Sequence, residues 1–422
     1  MTINSLAHLP PPREKRLALR VTRTAEQILR NGHPWLFDQA INQQSHEGQP
    51  GDLAVIFDRK RQFLAIGLYD PDSPLRVRIL HHGKPTPIDK AWFADKISTA
   101  VAVRQPLLEK PSHQETNGYR LIYGEGDGLP GVVVDRYADT LVMKLYTAAW
   151  IPYLPLIVPL LLDSQPAERV VLRLSRLVQA RPQWCYGLRD GQTLVGEAPT
   201  KPVLFWENGL RFAADVVQGH KTGFFFDHRP NRELVRSIAA DKNVLDVFAY
   251  TGAFSLYAAA GGAKNVTSLD ISEPALETAC YNFDLNRQYH DKVLRCSHHT
   301  IIADAFDGLA QLQTQGRQFD LVVVDPPSFA KSQDEVDGAL QAYERLTRLA
   351  LGVLAPQGLL VIASCSSRIL PYQFFQTVLQ AAEDEGRPLW EQKRTAHALD
   401  HPVLPQFPEG AYLKCLFATA VD

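Results

Sequence analysis

Apolar positions along this chain of 422 residues follow two different rhythms, and the change between them falls near residue 200. The front reads as short strands and turns. LAVIFDR (53–59) and FLAIGLYD (63–70) have the β-branched and aromatic composition of strands, separated by the charged turn RKRQ, and RVRIL (76–80) follows after PDSP. A short helix is predicted over 24–30, ending near Gly32, and residues 1–12, polar and proline-ended, are expected to be disordered. HHGKPTPID (81–89) reads as a linker. Beyond it lie a helical period over 89–109, two apolar strands around GEGDGLPG, a helix near 151–163 and a strand at RVVLRL (169–174). VLFWENGLRFAADV (203–216) carries Asn208-Gly209 between two apolar runs, the strongest short-range hairpin signal.

From there strands alternate with helices. Strands are predicted at NVLDVFAY, NVTSLDIS, TIIADAF, FDLVVVDPP, GLLVIASCS and YLKCLFATA, with helices over 253–261, 274–287, 336–353 and 371–385. Such alternation implies a mostly parallel, doubly wound sheet. The predicted architecture is therefore α/β: a small β-rich domain (1–85), a central α+β domain (86–200) and a C-terminal Rossmann-like domain (201–422).

Charge refines this division. Lys and Arg number 12 against 8 Asp and Glu over 1–85, 12 against 12 over 86–200, and 20 against 26 over 201–422. A basic front on an acidic remainder suggests that the front meets a polyanion. No apolar run reaches the roughly 20 residues of a membrane helix, and MTINSLAHLPPPREKR lacks the apolar segment of a secretory signal. The five cysteines (Cys185, Cys280, Cys296, Cys365, Cys415) form no CxxC pair, which argues against a zinc site or a disulfide framework and for a reducing cytoplasm. No metal ligands are predicted.

Doubly wound sheets bind ligands beyond the carboxyl ends of their strands, where the unusual residues of this sequence fall. LDVFAYTGAFS runs from an apolar strand into a turn with one glycine, Gly252, which suits a nucleoside without phosphates better than a dinucleotide. Asp270 ends the second strand, 24 residues after Asp246, the spacing of a ribose-binding carboxylate, although an Asp there can also cap the next helix. By the same logic Asp304 sits near an adenine amino group. Asp325 ends LVVVDPPSF, where two prolines fix a loop able to hold a carboxylate and carbonyls against a planar amino group. Cys365, in SCSS after the next strand, is either a small buried apolar residue or a nucleophile whose strand tip neighbours that of Asp325. DVVQGHKTGFFFDHRPNR packs Gln218, His220, Lys221, Thr222, Asp227, His228 and Arg229 around Phe224–Phe226, which suggests a place beside a cofactor.

Together QGHKTGFFFDHR, LDVFAYTGAFS, DPPSFAKS, SCSS and HPVLPQFPEGAYLK resemble the family of ribosomal RNA large subunit methyltransferase I, along the whole chain. The resemblance implies a class I methyltransferase that uses S-adenosylmethionine to make 5-methylcytosine in large-subunit (23S) ribosomal RNA, with a PUA-like RNA-binding domain in front, and a possible homodimer. It implies that Phe248, Tyr250, Thr251 and Gly252 line the S-adenosylmethionine pocket, Asp270 holds the ribose, Asp304 the adenine, and Lys221 and Thr222 border the pocket. Asp325 also borders it and holds the target base, and Cys365 is the nucleophile. Three alternatives stay open from the sequence: a guanine-nitrogen RNA methyltransferase in which Cys365 is structural, a non-catalytic RNA-binding assembly protein, and a methyltransferase for small molecules or proteins.

Overall fold

The computed structural model describes residues 6–109, 111 and 114–421. The chain folds into two compact units. The first comprises the residues up to Gly209, Ala214–Phe226 and Leu399–Phe407; the second comprises Leu210–Ala213, Asp227–Ala398 and the residues from Pro408.

The first unit contains a six-stranded and a five-stranded sheet. The six-stranded sheet uses the predicted front runs, Leu53–Phe57, Phe63–Tyr69 and Leu75–His82, together with Leu17–Val21, Trp35–Phe37 and Ile41–Gln44. The short helix is Arg23–Arg30, begun by Thr22, whose hydroxyl accepts from the Ala25 N–H. Of the segment expected to be disordered, residues 1–5 lie outside the described residues, but Leu6 and Leu9 are buried. Two leucines three apart gain more from joining the apolar core than the ordering of their segment costs.

The five-stranded sheet (Gly118–Tyr123, Val132–Tyr137, Thr140–Leu145, Arg169–Leu174, Thr193–Val195) shares a core with the helix Lys90–Leu108, which Asp89 caps. Buried charge crosses this core in pairs. Arg104 donates twice to Asp127 at 2.7 Å, and Arg120 twice to Asp135 at 2.9 Å. Asp400, from the late segment, accepts the Arg120 N–H at 2.9 Å, and its carbonyl accepts from Arg104. Such networks are costly to break in part, because the remaining charge stays buried without its partner.

The second unit is built on a seven-stranded sheet: β1 (Asn243–Val247), β2 (Asn265–Asp270), β3 (Ser297–Ile302), β4 (Phe319–Val324), β5 (Leu354–Ser364), β6 (Leu389–Thr395) and β7 (Lys414–Ala420). Its order is β3-β2-β1-β4-β5-β7-β6, parallel through β5, with β7 antiparallel to both neighbours. The order reverses between β1 and β4, which opens a crevice at their carboxyl ends. Helices at Ala253–Gly261, Glu273–Arg287, Val336–Gly352 and Pro371–Asp384 match the predicted periods to within a residue or so. Strand β6 and the helices Arg229–Ile238 and Ala305–Thr314 were not anticipated. β6 is a polar edge strand with five consecutive exposed residues, so it has no alternation to read. Asn208 and Gly209 both adopt positive φ, as a two-residue hairpin turn requires, between the strands Val203–Glu207 and Leu210–Ala214.

Asp135 also accepts the Thr222 hydroxyl at 2.5 Å, so its removal strands two donors. Asp135→Ala is expected to cost about 3–5 kcal/mol, read as a lower urea midpoint with unchanged slope; a midpoint within error of wild type would show that the pair contributes no net stability.

Candidate active site

The turn after β1 is bent in an unusual way. Phe248, Tyr250 and Gly252 all have positive φ, 63°, 49° and 72°. For two aromatic residues this conformation is strained, by about 1–3 kcal/mol each, and it persists because the surroundings dictate it. The Ala249 N–H donates to the Leu269 carbonyl at the end of β2, and the Tyr250 N–H to Asp270 Oδ2 at 2.8 Å. Gly252 has no alternative, since a Cβ there would lie 2.7 Å from that of Ala279.

Asp270 therefore shapes the β1 turn. Its other oxygen accepts the Ser272 N–H at 2.8 Å, and Ser272 caps the following helix. Each carboxylate oxygen keeps a second lone pair for a ligand hydroxyl. Asp304 is exposed, and its Oδ1 caps the helix Ala305–Thr314 by accepting from Phe306 and Asp307.

The tips of β4 and β5 are neighbours, with Val324 opposite Ile362. The loops beyond them are stitched together: the Ser328 and Ser366 hydroxyls both donate to the Ala330 carbonyl, at 3.1 and 2.9 Å. The Cys365 thiol, half-buried, donates to the Pro326 carbonyl at 3.6 Å. Cys365 thus lies against the loop that Asp325 opens. Cys185, Cys296 and Cys415 are buried and Cys280 is exposed.

His228 completes this corner. It is buried, with Nε2 3.2 Å from Asp325 Oδ1 and Nδ1 3.0 Å from the Asn231 amide, which in turn accepts from Thr395 at 2.6 Å. Burial alone would lower the imidazole pKa; the Asp325 ion pair and hydrogen bond, with Asp227 behind them, outweigh it and hold the pKa above its ordinary value. The rest of the charged segment divides. Gln218 to Phe226 belong to the first unit and Asp227 to Arg229 to the second. Lys221 is exposed, with its Nζ 4.5 Å from the Phe225 ring, and Thr222 is buried against Asp135.

Asp246, in β1, is buried and is pushed up to about 7 by burial, against two hydrogen bonds from Ser255 and with Asp325 and Asp270 adding to the rise. Its Oδ1 and the buried Thr251 hydroxyl find no hydrogen-bond partner among the described residues. Three aspartates, two buried oxygens with capacity to spare and no phosphate cradle make a site whose chemistry favours a cationic nucleoside over a phosphorylated one. The sequence had named Asp270, Asp325 and Cys365; it had passed over Asp246 as a spacing marker, although an aspartate inside an apolar strand was a usable signal.

Comparison with known proteins meets this geometry. A family model described as S-adenosylmethionine-dependent methyltransferase matches residues 142–384, and a PUA-like domain model matches 19–82. The Deinococcus radiodurans protein named ribosomal RNA large subunit methyltransferase is 47% identical over 409 residues, 97% of this chain and 98% of its own length. The chain belongs to this family of S-adenosylmethionine-dependent methyltransferases. A ribosomal RNA large subunit methyltransferase I from Aliivibrio fischeri is 36% identical, covering 94% of this chain and 98% of its own. A SAM-dependent methyltransferase structure from Streptococcus mutans shares the fold, with a TM-score of 0.79 at 22% identity over 95% of this chain and 99% of its own.

The methyltransferase's donor is a sulfonium cation, which suits the carboxylate-rich crevice. Cation binding beside Asp246 favours its ionised form, and the proton must leave at pH values below about 7. S-adenosylmethionine affinity, measured by calorimetry, is expected to be about tenfold weaker at pH 6 than at pH 8, and Asp246→Asn is expected to flatten this dependence. An equal pH dependence in both proteins would rule out Asp246 as its source.

Proposed function

We propose that the enzyme methylates C5 of a cytosine in large-subunit ribosomal RNA through a covalent adduct with Cys365. The observation that carries this reading is the thiol of Cys365 lying against the Pro326 carbonyl, in the loop that Asp325 opens. The names of the relatives, which span nearly the full chain, support the RNA substrate. The described cysteines form no disulfide, which supports a reducing, cytoplasmic setting, and no described helix is long and apolar enough to cross a membrane.

When bound, S-adenosylmethionine supplies an electrophilic methyl group. Phe248, Tyr250, Thr251 and Gly252 would line its pocket, Asp270 would take the ribose hydroxyls, and Asp304, Lys221 and Thr222 would border it. The chain's own residues prepare the base. The Cys365 thiolate adds at C6 while N3 takes the proton that Asp325 shares with His228, and C5 becomes enamine-like. Once C5 has gained the methyl group, loss of its proton sends the electrons back to expel the thiolate and restore the aromatic ring. The base must leave its stack to reach these strand tips.

The PUA-like region supplies a grip for the RNA backbone. A groove of about 320 Å³ is lined by Arg20, Gln43, Ser45, Phe57 and Arg61 among others. Among the described residues Arg20 and Arg61 have no ion-pair partner, whereas Arg59 and Arg30 of the same region are engaged with Glu26 and Asp58.

Incubation of deproteinised ribosomal RNA lacking the modification with tritiated S-adenosylmethionine is expected to label 5-methylcytidine, and Cys365→Ala to abolish the label. Label on a guanine nitrogen that survives the substitution would overturn the mechanism. The double variant Arg20→Ala/Arg61→Ala is expected to weaken RNA binding and to flatten log K against log salt by about 1.5; an unchanged slope would place the phosphate contacts elsewhere.

A further inference from the structure

Lys414 stands out as a charge inside the apolar strand β7. It is only 3% exposed, and it lies opposite Ser364 in the β5–β7 register, one residue before Cys365. Its Nζ donates to the Ser366 carbonyl and, at 3.0 Å, to that of Ile369, both neutral backbone oxygens. A lysine buried without a carboxylate partner is an expensive arrangement. The ammonium spans the turn that carries Cys365, with acceptors on its far side and its register partner on the near side.

We propose that Lys414 is a positioning residue for the nucleophile: its ammonium fixes the turn from Ser364 to Ile369 and holds Cys365 as the thiolate. This rests on the reading of Cys365 as nucleophile. Several groups around this turn oppose ionisation of the thiol or leave it unaided. Asp325, at the tip of β4, contributes negative charge, and the Pro326 carbonyl accepts from the neutral thiol. Tyr343, from the helix Val336–Gly352, is kept neutral by burial and donates to Ser364 at 2.9 Å. Cys415, next to Lys414, is held as the thiol by burial. His228 is turned to Asp325. On ionisation of Cys365 its proton goes to water, and the charge left on sulfur meets the Lys414 ammonium. Burial pulls the lysine down to about 8, while Cys365 pulls it back up, so the two charges support each other.

The test is the pH dependence of Cys365 alkylation by iodoacetamide, followed by mass spectrometry of the Cys365 peptide so that exposed Cys280 does not interfere. Wild type is compared with Lys414→Met and with Lys414→Gln, whose amide can still donate to a turn carbonyl and which serves where the methionine variant does not fold. The inflection is expected to rise by about one pH unit or more in either variant, a tenfold loss of thiolate below it. Methyl transfer is expected to fall most at low pH and to recover as pH rises. An unchanged inflection, with transfer lowered equally at every pH, would overturn the proposal and leave Lys414 a purely structural anchor. Alkylation reads the thiolate whether or not Cys365 attacks RNA. Methyl transfer that survives Cys365→Ala would therefore refute the nucleophile reading separately from this result.

Discussion

Like charges at the ends of adjacent parallel strands repel, and the second unit is organised around managing that repulsion. Asp246, Asp270 and Asp325 end or nearly end β1, β2 and β4, three neighbours in the sheet. Each is accommodated differently. Asp270 accepts two backbone N–H groups, Asp325 pairs with a buried imidazole, and Asp246 accepts twice from Ser255 and retains a proton near neutrality. The accommodation is incomplete, and the crevice keeps an appetite for positive charge. The same hydrogen bond that settles Asp270 twists Tyr250 into its strained conformation, so electrostatics and backbone shape at this site have one origin.

Much of this was legible because strand tips in a doubly wound sheet are predictable places. The runs ending in Asp270, Asp325 and Cys365 announced themselves by apolar composition followed by polar residues, and sheet order brought the last two together. Less visible were features without a local pattern. The polar edge strand β6 has no buried face to impose alternation. The helix Ala305–Thr314 sits in a short link between two strong strands. The burial of Leu6 and Leu9 depends on a core supplied by residues far along the chain.

The site residues divide in the same way. Asp304 carried only a ligand reading from sequence, and in the structure its carboxylate caps the helix Ala305–Thr314. Lys414 was visible only as one cation among apolar neighbours in YLKCLFATA, and its meaning came from register with β5. His228 belonged to a segment already marked as unusual, but only its distance to Asp325 separates it from the residues around it.

The buried network of the first unit closes with Asp400, 280 residues beyond Arg120. Between them the chain builds every strand of the second unit's sheet except β7. At about 5–20 residues per second of synthesis, Arg120 waits roughly 15–60 s for that partner. A nascent first unit therefore holds the Arg104 guanidinium and the Arg120 backbone N–H in place before Asp400 can join them. Its final consolidation is a late event in the life of the chain, set by the pace of translation as much as by the stability of its own strands.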